Sequence, residues 1–94
     1  MKLELLLRKL SDFFSLTIHE AENTIVLTGS NIKVKLARGI LQLETDDGEL
    51  EIPEEQIEEF NFFSRSKHCT VRLKNGVLRV YSDGESFRFF FALK

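Results

Sequence analysis

Apolar residues Leu3, Leu6, Leu7, Leu10, Phe13 and Phe14 recur every three or four positions. That spacing draws one stripe along a helix with a period of about 3.6 and predicts a helix over residues 1–15. Lys2, Glu4, Arg8, Lys9, Ser11 and Asp12 take the opposite side, with Glu4 and Arg8 in the favourable i,i+4 order. Leu5 alone breaks the stripe. The polar side mixes both signs of charge. It suits a helix lying on a sheet better than one lying on a membrane, whose polar side is basic.

From residue 16 the period falls to two, the signature of half-buried strands. Turns at Ala21-Glu22, Gly29-Ser30, Arg38-Gly39 and Asp47-Gly48 divide residues 16–52 into five strands. Three of these turns contain glycine, which accepts the positive φ of tight hairpins. Pairing across them aligns Ile18, Ile25, Val34, Leu43 and Ile52 in one row and Leu16, Leu27, Ile32, Thr45 and Leu50 in the next. Only Thr45 is polar, so these rows form a core face. The other face holds His19, Thr24, Lys35 and Gln42, then Thr17, Val26, Lys33, Glu44 and Glu51. A one-residue slip would mix the two sets.

Pro53 cannot donate to a ladder and ends a strand. Pro53-Glu54-Glu55-Gln56 suits a short helical turn, with acids at its N-terminal end. A strand near residues 57–64 follows, with Glu58, Phe60 and Phe62 on one side. Further on, Asn75-Gly76 and Asp83-Gly84 read as type I′ hairpin turns between strands near 69–74, 77–82 and 85–93. Pairing through them sets Val71 beside Val80 and Phe87, and Leu73 beside Leu78 and Phe89, as a core face. On the reverse, Thr70 meets Tyr81 and Ser86, Arg72 meets Arg79 and Arg88, and Lys74 meets Val77 and Phe90. Phe89, Phe90 and Phe91 are consecutive and must point both ways, so the second face of the last strand calls for apolar cover from the helix or from a partner chain.

These elements define one α+β, mainly β domain over residues 1–94: helix 1–15, five-strand meander 16–52, connector 53–68 and three-strand meander 69–94. An antiparallel meander of about eight or nine strands is expected to curl into a roll, a sandwich or a partly open barrel, because strongly twisted sheets of that size curl or split. The strands of residues 24–52, the segment Ile52-Pro53-Glu54-Glu55-Gln56-Ile57 and the closing three-strand meander together resemble pleckstrin-homology-like domains over residues 24–93. The resemblance implies a partly open barrel that binds phosphoinositides or proteins. The pattern departs from that family in placing its helix first, where the family closes its barrel with a C-terminal helix. No functional residue is carried over from it.

The chain has 94 residues, with one Cys, no Trp and nine Phe. A lone cysteine excludes an intrachain disulfide and leaves too few thiolates for a structural zinc site. No apolar run approaches the ~20 residues of a membrane span, and charges interrupt the Leu-rich start. The expectation is a reducing, cytoplasmic setting with no cofactor. Residues 1–59 carry a net −7 and residues 60–94 a net +5, so the overall −2 hides a strong asymmetry. Residues 44–59 hold nine acids and no base. Such a division is met either by pairing inside the fold or by a charged partner.

The row Arg72, Arg79 and Arg88 is the main candidate chemistry. Like charges directly opposed on a sheet repel, so the row needs anions, supplied by Glu51, Glu54, Glu55, Glu58 or Glu59, or by the phosphate of a ligand. With Lys74, it could hold nucleic acid or a phosphoinositide headgroup, and Tyr81 and Phe90 could stack on a base. His68 and Cys69 are adjacent in a strand and point to opposite faces, which argues against a nucleophile pair. The Asp46-Asp47-Gly48-Glu49 stretch lacks calcium-loop spacing, and no phosphate loop, metalloprotease motif or nucleophile elbow is present. The expectation is therefore not an enzyme. It is an interaction or adaptor module that binds a protein or forms a homodimer through Val77, Tyr81 and Phe90, with phosphate-ligand recognition as the alternative. No phenylalanine lies between Phe14 and Phe60, which predicts that helix, connector and last strand meet in one aromatic cluster.

Overall fold

The computed structural model describes residues 3–84 and 86–94. Helix α1 (Leu3–Phe14) precedes nine antiparallel strands in two open sheets. The first sheet holds β1 (Thr17–Ala21), β2 (Thr24–Thr28), β3 (Ile32–Ala37), β4 (Ile40–Thr45) and β5 (Gly48–Pro53). A single 3-10 turn (Glu54–Gln56) leads into the second sheet: β6 (Ile57–Phe63), β7 (His68–Leu73), β8 (Gly76–Ser82) and β9 (Phe87–Leu93). Neighbouring strands are sequence neighbours throughout, so the meander splits into two at the Pro53 turn. The inner faces of both sheets and the helix share one apolar core, and the radius of gyration is 12.2 Å. Among the described residues no helix is long and apolar enough to cross a membrane.

Helix α1 buries Leu3, Leu7, Leu10 and Phe14, while Leu5 is 55% exposed. Ser11, expected on the polar side, is buried, and its hydroxyl donates to the Leu16 carbonyl at 2.8 Å. The helix ends on Ser15 at φ +56°. Leu16 N–H donates to Ser11 O at 2.8 Å and Ser15 N–H to Asp12 O at 3.4 Å, the paired bonds of a Schellman cap.

Five expected hairpin registers shift by two. In the first sheet Ala21 pairs with Thr24 and Thr45 with Gly48, and Gly29 N–H bonds Ile32 O, so the turns centre on Glu22-Asn23, Ser30-Asn31 and Asp46-Asp47. Only Arg38-Gly39 stands where the sequence places it, with both residues at positive φ. Moving a turn by one residue moves the pairing by two, which preserves which face each side chain takes. The core rows become Ile18, Leu27, Val34, Leu43, Leu50 and Ile25, Leu36, Leu41, Ile52, the second ending on β1 at the exposed Glu20.

In the second sheet Leu73 pairs with Gly76, which puts Gly76 in the strand and not in the turn. A Cβ there would lie 2.3 Å from the Ala92 carbonyl oxygen, so glycine is required by the approach of β9. Ser82 pairs with Phe87, and the final hairpin also moves by one residue. Strand β6 carries an irregularity between Ile57 and Glu59. The extra residue turns Glu58 to the side opposite Phe60 and Phe62, not to the same side as expected, and lets Ile57 join the core.

The aromatic cluster forms where the chain brings its three aromatic segments together. Phe13 packs on Phe62 with ring centroids 5.2 Å apart, and Phe14 packs on Phe87 at 5.3 Å. The end of the helix thus spans the inner face of the second sheet, from the end of β6 to the start of β9. Lys67 Nζ lies 4.8 Å from the Phe13 ring centroid and shields its outer side.

The free edge of β9 is held by side chains of the first sheet. Phe87 N–H donates to Asn31 Oδ1 at 2.7 Å, and Asn31 Nδ2 donates to Phe87 O at 3.2 Å. Phe89 N–H donates to Asp47 Oδ2 at 3.0 Å. Two hairpin tips therefore clasp the edge as a tenth strand would.

A candidate interaction face on the four-stranded sheet

The outward side chains of β6–β9 form three rows: Glu59, Arg72, Val77, Ala92; then Asn61, Thr70, Arg79, Phe90; then Phe63, His68, Tyr81, Arg88. The expected alignment of Arg72, Arg79 and Arg88 is thereby corrected. They step diagonally, one per row, because the register moved by two on each side of β8. Diagonal placement relieves the direct opposition of like charge.

Two of the three arginines are neutralised by the acidic half of the chain. Arg72 lies 3.0 Å from Glu59 and 3.4 Å from Glu58. Arg88 forks onto Asp47, with Nε and Nη2 both 3.0 Å from Oδ1. The Arg88 hydrogen bond, helped by the Phe89 N–H, holds the Asp47 carboxyl below its ordinary range, and Asp47 in turn raises Arg88. Arg79, between Thr70 and Phe90, has no ion pair among the described residues.

The aromatic members of this face are open. Phe90 is 62% exposed, Phe63 44% and Tyr81 37%. The helix, one of the two expected covers for Phe90, lies on the opposite, inner face. Val77 is half-buried between Arg72 and Ala92, and Lys74 lies at the β7–β8 turn, where its N–H donates to Gln56 O at 2.9 Å. Beside Arg79 a shallow hollow of about 320 Å³ is lined by Ser66, His68, Arg79, Tyr81 and Phe90. Ser66 and His68 Nδ1 share a 2.6 Å hydrogen bond, and the His68 ring stacks on Phe63 at 4.6 Å. Sequence reasoning passed over Ser66, since nothing local marks it; only the β6–β7 turn brings it to the sheet face.

The other outer face differs in kind. Its rows read Thr17, Thr28, Lys33, Glu44, Glu49 and His19, Val26, Lys35, Gln42, Glu51, with no aromatic residue. Cys69 faces the core, and burial pushes its thiol up to about 12, so it stays protonated, while His68 takes the outer face. Among the described residues no three His, Cys, Asp or Glu side chains gather to hold a metal ion.

Compared with known proteins, the chain matches no family model, no curated protein and no solved structure. The resemblance to pleckstrin-homology-like domains gains nothing from these comparisons, and the functional reading rests on the geometry of this face.

Proposed function

We propose that this chain is a non-catalytic interaction module that docks a protein partner, a second copy included, through the outer face of β6–β9. The observation that supports it is the exposure of Phe90 on a face that also bears Phe63 and Tyr81, while the helix packs elsewhere. Exposed aromatics gathered on one face, with an arginine among them and polar residues around, match the composition of interface centres. Covering a phenylalanine is worth about 1.5–3 kcal/mol, so Phe90→Asp should weaken association roughly ten- to hundredfold.

Sedimentation equilibrium at high micromolar concentration measures self-association, and affinity capture measures a second protein. Phe90→Asp should shift the mass towards monomer or release the captured partner, and Lys33→Asp on the other face should do neither. If Phe90→Asp and Tyr81→Ser leave both measurements unchanged, the reading is wrong.

A further inference from the structure

Resting on that reading, we propose that the hollow around Arg79 receives an oxyanion-bearing side chain of the partner protein, a phosphate or carboxylate at the tip of a short stem. Among the described residues Arg79 offers a guanidinium fork without a carboxylate, while Arg72 and Arg88 on the same face are already taken by Glu58, Glu59 and Asp47. A planar fork matches two oxygens of one anion and binds more strongly than a neutral hydrogen bond. Ser66 and His68, joined to each other at the rim, bring a hydroxyl and an imidazole within the same hollow. Tyr81 and Phe90 wall its sides with apolar surface. A cation and two aromatic rings lining one hollow suit a side chain with an anionic tip better than a bare ion.

Charge complementarity points the same way. The described lining of the hollow contains Arg79 and no Asp or Glu, so an incoming anion meets no carboxylate there. A single-stranded nucleic acid fits less well. Its affinity grows with the number of phosphates neutralised. Here the flanking arginines are occupied, and Phe63 is already stacked on His68. One fork without an ion pair among the described residues, between two occupied ones, makes a socket, not a track.

The test is an amide-resolved NMR titration with four probes: a short tyrosine-free peptide bearing phosphoserine, the same peptide with glutamate, the same with serine, and single-stranded oligothymidylate. The chain has one tyrosine and no tryptophan, so tyrosine emission reports on Tyr81 alone and gives a second readout with the peptides. The phosphoserine or the glutamate peptide should saturate with a dissociation constant below about 1 mM. The tighter of the two identifies the source of the oxyanion. Shifts should centre on residues 66–68, 79–81 and 90. Arg79→Gln should weaken binding about tenfold or more, Arg79→Lys by less, and Lys33→Gln by under about twofold.

Equal binding of the serine peptide, absence of binding by both acidic peptides, unchanged affinity in Arg79→Gln, or tighter binding of oligothymidylate would each overturn the proposal. Failure of the peptides while Phe90→Asp still disrupts association removes the socket and leaves the docking face. Arg79-dependent peptide binding with association indifferent to Phe90→Asp does the reverse.

Discussion

Asn31→Ala cuts one half of the clasp on β9. The Asn31 carboxamide takes both backbone groups of Phe87, at 2.7 and 3.2 Å, and its Nδ2 also reaches Asp46 at 3.1 Å. A neutral hydrogen bond is worth about 1 kcal/mol net, and water can reach this half-buried site, so losing two should cost about 1–2 kcal/mol. For a domain of this size that lowers the melting temperature by roughly 4–16 °C. The loss falls short of the 5–15 kcal/mol that typically holds a domain folded, so the variant stays folded and opens locally.

Hydrogen exchange should then show faster exchange at Phe87, with the interior of β7 unchanged. The second half of the clasp depends on acid. Asp47 is held below its ordinary value by Arg88 and the Phe89 N–H, so its contribution is complete above the unfolded carboxylate value and is lost as pH falls through the lowered folded one. Acid should therefore free the edge further in Asn31→Ala than in the wild type. A melting temperature within about 1 °C of wild type, or unchanged protection at Phe87, would refute the claim that side chains close this edge.

Two further outcomes test the backbone. Gly76→Ala places a Cβ 2.3 Å from the Ala92 oxygen, a backbone atom that cannot swing aside, so it should destabilise by about 1–3 kcal/mol or more and blur the Arg79 and Phe90 amide signals. Ser15→Gly relieves a left-handed residue in the helix cap and should raise stability by about 0.5–1 kcal/mol, while Ser15→Ala should not, as thermal melts will show.

The helix and the inward and outward sets of every strand but β6 are legible in the sequence because each follows from local periodicity, and the meeting of the three aromatic segments is legible from where phenylalanine falls along the chain. The registers are not. Asn75-Gly76 has the composition of a tight turn, yet Gly76 serves the close approach of Ala92, a contact with a strand sixteen positions away. Glycine signals both a turn and a close approach, and local sequence does not separate them. The arginine row inherited that ambiguity: one misplaced turn on each side of β8 was enough to draw Arg72 and Arg88 level with Arg79. The parity of a strand survives such a shift and the pairing does not. Core predictions were therefore robust where the site prediction was not. Glu58 shows the complementary failure, since an extra residue in β6 breaks parity itself.

The distribution of charge and aromatics between the two outer faces bears on what β9 is for. Strand β9 reads Phe-Arg-Phe-Phe-Phe-Ala-Leu, the apolar, β-prone composition that pairs edge to edge with other chains when left open. Its first half is closed by Asn31 and Asp47, which occupy the Phe87 and Phe89 groups that another strand would need. Association through those residues is thus blocked at the edge and left available at the face, where Phe90 stands clear. Asp47 has a double part in this. It caps Phe89 and neutralises Arg88, so the same carboxylate guards the edge and leaves Arg79 as the arginine of the diagonal without an ion pair among the described residues. If Asp47→Asn frees Arg88, the face gains a second anion-binding fork while the edge loses a charged acceptor. Anionic partners and strand-pairing partners would then both gain access, and the wild-type arrangement keeps the first route narrow and the second partly closed.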